Sequence, residues 1–183
     1  TRKDSLDIPD RVIANVLSDF CKNNSLKLEI IKFLDKEEET RYYNKIFNEL
    51  SFSNYSIIES SRKNDYLQSY KSISNESLVV GADSQLIFEL FGIGFRTAIF
   101  SIRGFYMKDE SREFYWPNNV NEKGFFWTNI PDINYMKEIL NNVYNVSEYE
   151  WSIERNKYSS IMDYSYKNRV IKKILVKEGI KIN

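Results

Sequence analysis

The 183-residue chain has no histidine, one cysteine, three prolines and six glycines. Without an imidazole there is no Ser-His triad, no Cys-His dyad, no imidazole-ligated zinc and no switch titrating near neutrality, which removes most hydrolase mechanisms. The lone Cys21 cannot form an internal disulfide, and its apolar neighbours put it on the buried face of a helix, so a reducing compartment is expected. Basic and acidic side chains number 26 each, so no net field draws the chain towards nucleic acid, and no such partner is expected. No apolar run approaches the roughly 20 residues that span a bilayer, and the start of the chain, with Arg2, Lys3, Asp4 and Asp7, has no signal-peptide core. A cytoplasmic protein is the expectation.

What is present is an alternation of helix and strand patterns. With 42% hydrophobic residues the chain can build the core of a single domain over 1–183. Val12, Ile13, Val16, Leu17 and Phe20 mark an amphipathic helix between Pro9 and Asn23. A strand over Leu26 to Leu34 follows, then a helix whose first turn carries Glu37, Glu38 and Glu39 and whose buried stripe is Tyr43, Ile46, Phe47 and Leu50. Further strand patterns cover Tyr55 to Glu59, Ser77 to Ala82, Thr97 to Ile102 and Phe125 to Thr128. Between them lie helices over Tyr66 to Ile73 and Gln85 to Ile93, the latter closed by Gly94. Arg103 to Lys123 reads as a long irregular loop. Three helices complete the chain: one opened by Pro131, one by the capping box Ser147 with Glu150, and one marked by Val170, Ile171, Ile174 and Leu175 and stopped by Gly179. This order predicts an α/β, Rossmann-like, mainly parallel sheet with helices on both faces and ligands beyond the carboxyl ends of the strands.

The stretch Val79 to Gly104, VVGADSQLIFELFGIGFRTAIFSIRG, concentrates the chemistry. A strand stops at the small-residue turn Gly81-Ala82, where backbone can approach a ligand, and Asp83-Ser84 opens a helix whose free N–H groups suit a phosphate. Ser84 is either an ordinary N-cap or a phosphate ligand. Glu89 sits among Leu86, Ile87, Phe88, Leu90, Phe91 and Ile93, so its carboxylate needs donors. Those are either a basic neighbour such as Arg96 or Arg103, or a pair of ligand hydroxyls.

This stretch resembles the donor-binding half of GT-B glycosyltransferases, where a small-residue turn and a serine or threonine precede a helix carrying a glutamate. Ser84-Gln85-Leu86-Ile87-Phe88-Glu89-Leu90 matches the serine-to-glutamate spacing, with Gly94 and the strand Thr97 to Phe100 in the corresponding places. The closest likeness is to bacterial transferases of surface-carbohydrate and capsule biosynthesis. The resemblance implies a metal-independent transferase, without cofactor, that moves a sugar from a nucleotide-sugar to a glycan or lipid-linked acceptor. It implies a donor site of Gly81, Asp83, Ser84, Gln85, Glu89, Arg103 and Gly104. Ser84 and the helix amides would hold phosphate and Glu89 the ribose, while Arg103 and Gly104 would face the diphosphate or sugar. Gln85, Leu90 and Arg96 depart from the usual residues, and Gly81 stands where many retaining members have an acid. Asp-x-Asp, the metal-chelating signature of the other major glycosyltransferase fold, is missing; no metal is expected.

Arg62 and Lys63 reach the same edge or are solvated loop residues. Tyr115, Trp116, Phe125, Phe126 and Trp127 either stack on a ligand or bury the long loop. Lys172, Lys173 and Lys177 form a solvated helix face or a peripheral contact with the inner face of the membrane. The residues ahead of Pro9 are too polar to be the central strand of such a sheet, so that strand and an N-terminal acceptor-binding domain are expected upstream of Thr1. The rival reading is a flavodoxin-like, non-catalytic α/β interaction module.

Overall fold

Helix α1 runs over Asp4–Asn24, so Pro9 lies inside it instead of at its first turn. It is the central beam of the molecule. Val16 and Phe20 face the larger hydrophobic cluster, while Ala14 and Cys21 face the smaller one. The computed structural model describes residues 4–32, 37–58, 70, 73–74, 77–117 and 122–158. The helix patterns at Tyr66 to Ile73 (Tyr70 and Ile73 apart) and at Val170 to Gly179 fall outside these, as do Arg62, Lys63, Lys172, Lys173 and Lys177.

α1 leads into β1 (Leu28–Ile31), α2 (Glu37–Glu49) and β2 (Tyr55–Ile58). β1 and β2 pair in parallel, Leu28 opposite Tyr55 and Ile31 opposite Ile58. Both helices of this unit end without glycine. Ser25 and Ser51 adopt left-handed φ of 55° and 49°. The amides of Leu26 and Phe52 then donate to the carbonyls of Cys21 and Phe47, both at the i−5 position of a Schellman closure. In a chain so poor in glycine, serine takes this position at a steric cost.

The second unit is β3 (Val79–Gly81), α3 (Gln85–Ile93), β4 (Thr97–Phe100), α4 (Arg103–Met107), a 3-10 turn at Glu110–Arg112, β5 (Lys123–Gly124), β6 (Trp127–Thr128), α5 (Ile133–Asn145) and α6 (Glu148–Asn156). Its strand order is β3-β4-β6-β5, with β3, β4 and β6 parallel and β5 antiparallel to β6. All four residues of β4 are buried. The expected helix stop holds: Gly94, at φ 110°, donates its N–H to the carbonyls of Leu90 and Phe91. The Ser147–Glu150 capping box is also present. Asp132, just after Pro131, caps α5 by accepting from the Tyr135 amide.

The expected α/β character holds; among the described residues three of the four strand pairings are parallel, while the strands fall into a two-stranded parallel sheet and a separate four-stranded mixed one. The strands are too short for long ladders, since β3 has three residues and β5 and β6 two each. The fold is mixed α/β. The stretch after Arg103 is not irregular, because it begins with α4 and the 3-10 turn, and its Phe114 is buried beneath the domain. Phe126 and Trp127 are core residues, whereas Trp116 is exposed.

Candidate functional site

β3 and β4 run in parallel, so the turn after β3 and the start of α4 lie at the same edge of the sheet. Asp83 comes from the first and Arg103 from the second. Arg103 donates from Nη1 to Asp83 Oδ1 at 2.6 Å, and from Nη2 and Nε to Asp10 Oδ1 at 2.7 and 3.2 Å. Asp10 belongs to α1, and Tyr42 of α2 donates to its other oxygen at 3.4 Å. Arg112 of the 3-10 turn donates from Nη1 to Asp83 Oδ2 at 2.5 Å. Two carboxylates and two guanidinium groups thus join α1, the β3–α3 turn, α4 and the 3-10 turn.

The Asp10 and Asp83 side chains are only 7% and 11% exposed, and Arg103 20%. Burial pushes the Asp83 carboxyl up, but the Arg103 charge and the hydrogen bonds from Arg112 and Arg103 outweigh it and hold the group below the usual carboxylate range. Burial likewise opposes the charge on Arg103, and Asp10 and Asp83 more than restore it. Asp83 is therefore a neutralised anion, not a bare charge beside the helix start.

Ser84 is the N-cap residue of α3, at φ −88° and ψ 136°, yet its side chain makes no capping hydrogen bond. The first helix-start amide with a partner is Ile87, which donates to the Ser84 carbonyl at 3.1 Å. The exposed Ser84 hydroxyl and the Gln85 and Leu86 amides have no protein partner among the described residues. A helix end with unsatisfied N–H groups and partial positive charge is suited to an anion.

Of the two partners expected for Glu89, the basic neighbour is not the one found. Gln85 Nε2 donates to Glu89 Oε1 at 2.8 Å, whereas Arg96 is engaged by Glu148 and the Tyr144 carbonyl. The glutamate is half-buried because α3, though apolar in sequence, has a solvent side on which Gln85 and Ile93 are exposed. Gly81 and Gly104 serve packing. A Cβ on Gly81 would lie 2.9 Å from the Cβ of Ile87, so the glycine lets α3 close onto β3. A Cβ on Gly104 would meet the Asp109 carbonyl oxygen at 3.0 Å. Gly104 is buried. Arg103, with all three guanidinium nitrogens bound to aspartates, is a structural tie in this state.

Sequence reading missed Asp10 and Arg112. Asp10 looked like an ordinary helix residue and Arg112 like a loop residue, and 93 positions separate Asp10 from Arg103. Arg112 is the more accessible cation, with 39% of its side chain exposed.

A parallel β3–β4 pair with a paired charge cluster at its carboxyl edge, beside an open helix N-terminus, belongs to a mixed α/β protein. More particularly, the chain belongs to the family described as "putative O-antigen biosynthesis protein", whose model matches residues 4–179. That family name places it with surface-carbohydrate biosynthesis. Neither curated proteins nor solved structures give a match. Among the described residues no helix is long and apolar enough to cross a membrane, and no group of acidic residues or cysteine has the arrangement to hold a metal ion.

Proposed function

We propose that this chain is the nucleotide-sugar-binding domain of a metal-independent GT-B glycosyltransferase that moves a sugar onto a surface-polysaccharide or lipid-linked acceptor. The observation that carries the reading is the uncapped start of α3 at the carboxyl edge of β3, with the Ser84 hydroxyl and two amides unspent. The Ser84-to-Glu89 spacing and the family's tie to O-antigen support it.

In this reading the Gln85 and Leu86 amides and Ser84 Oγ bind the donor phosphates. Glu89, oriented by Gln85 through one oxygen, offers the other to the ribose hydroxyls. Arg112 takes the role first assigned to Arg103: its half-exposed guanidinium stabilises charge on the departing nucleotide diphosphate, while Arg103 holds Asp83 in place. The acceptor site and catalytic base come from an upstream domain, so the chain binds donor without turning it over.

A second reading, the non-catalytic interaction module, draws on the full commitment of Arg103 to two aspartates. Thermal unfolding with UDP-, GDP-, CMP- and TDP-sugars separates the two. A donor at 100 times its dissociation constant stabilises by about 2.7 kcal/mol. A rise in Tm with one nucleotide class supports donor binding, and no rise with any of them supports the interaction module.

A further inference from the structure

A second surface, on the other unit of the molecule, is built from different chemistry. Between α2 and β2 lies an open groove of about 480 Å³ lined by Thr40, Asn44, Asn48, Ser53, Tyr55, Ser56 and Ile57. None of these side chains is charged at neutral pH. Thr40, Asn44 and Asn48 recur at i, i+4 and i+8, so they form one polar stripe along α2, about 12 Å long at the helical rise. The charged residues of the helix lie on other positions, where Arg41 pairs with Glu37, and Glu49 with Arg11 of α1.

Two members of the stripe, Thr40 and Asn44, are held in place. Tyr55 packs its ring against Phe47 and Phe52 and donates its hydroxyl to Asn44 Oδ1 at 2.8 Å, which leaves the Asn44 amide N–H groups facing other partners. Buried Lys32 donates to Thr40 Oγ1 at 3.0 Å, which leaves the threonine O–H as a donor. Asn48 and Ser53 are exposed and, with Ser56, have no side-chain hydrogen bond among the described residues. The result is a row of amides and hydroxyls, each able to donate and accept, in which Thr40, Asn44 and Tyr55 are held by hydrogen bonds and the adjacent Lys32 ammonium is buried and bound to Thr40.

We propose that this groove binds a neutral saccharide of about disaccharide length, separately from any nucleotide at α3. Alternating hydroxyls on a pyranose need donor-acceptor groups of this kind, whereas an anionic ligand would find no charged side chain in the lining, the nearby Lys32 ammonium being buried behind Thr40. The O-antigen association of the family fits such a ligand.

The test is a titration of the isotopically labelled full chain with the methyl glycosides of glucose, galactose, mannose, rhamnose and N-acetylglucosamine, followed by amide chemical shifts. Glucuronate, inorganic phosphate and a neutral unstructured peptide serve as comparisons. Saturable shifts at Asn44, Asn48, Ser53 and Ser56 are expected with at least one neutral glycoside. Asn48→Ala and Ser53→Ala, both at exposed positions, should each weaken binding about tenfold without lowering Tm. Silence at these amides with every glycoside overturns the proposal, as do equal shifts with phosphate or glucuronate, shifts with the peptide alone, or affinity unchanged in both variants. Nucleotide-induced shifts at Ser84 to Leu86 report on the other site, so each reading stands or falls by itself.

Discussion

The two units of this protein are held together by different means, although α1 serves both. Around β3, β4 and β6 the core is aromatic and deep: Phe126 meets Phe91, Phe114, Trp151 and Tyr158 with ring centroids between 4.9 and 5.6 Å. Around β1 and β2 it comprises five buried residues, Ala14, Cys21, Ile46, Phe47 and Phe52, with part-buried neighbours. The deep core carries an ionic cluster at its edge, and the shallow one carries a neutral groove. The ionic cluster also takes in Asp10 of α1 and Tyr42 of α2, so its charges are compensated by pairing and tie the two units together.

Substitutions can break this contrast, from the largest effect downwards. Phe126→Ala should cost about 4–5 kcal/mol, against about 3 kcal/mol for Phe47→Ala, because the first empties the centre of the aromatic cluster and the second a smaller one. Equal losses of Tm would show that the two cores are equivalent. Asp83→Asn should cost about 3 kcal/mol, since it leaves the part-buried Arg103 and its neighbour Arg112 without their shared carboxylate; urea unfolding midpoints measure it.

The same carboxylate sets a dependence on acid. Its folded-state pKa is lower than in the unfolded chain, so its contribution is fully present above the ordinary carboxylate range and is lost as pH falls through the folded value. Stability of the parent should drop on acidification below the ordinary carboxylate range, and Asp83→Asn should flatten that part of the profile. In the groove, Tyr55→Phe should cost only about 1 kcal/mol, the hydrogen bond to Asn44. Smallest of all, Ser25→Gly or Ser51→Gly should stabilise by about 0.5 kcal/mol, because glycine relieves the left-handed φ; a fall in Tm would show that the serine hydroxyls compensate.

How far the sequence reveals this arrangement depends on the range of the interactions. Local signals read well: the glycine stop at Gly94, the capping box at Ser147 and the burial of Cys21 all follow from a few adjacent residues. Sequence reading failed where geometry depends on distant residues. The five residues of α4 are too few to show a helical period, and serines in left-handed turns carry no signal that sets them apart. Glu89 was read as enclosed because α3 is apolar in sequence, but packing leaves one side of the helix to solvent, as Ile93 at 42% exposure shows. The Ser84 turn was legible as a candidate site. That Asp10, Arg103 and Arg112 surround Asp83 required the fold.

The central claim, that the start of α3 receives the phosphates of a nucleotide-sugar, is tested most directly at its own amides. Titration of the labelled chain with the nucleoside diphosphate and nucleotide-sugar that raise Tm, or with the whole panel if none does, should give the largest chemical-shift changes at Ser84, Gln85 and Leu86. Ser84→Ala should weaken that binding while leaving the fold intact. Binding that leaves these three amides unmoved, or no binding by any nucleotide, would contradict the account.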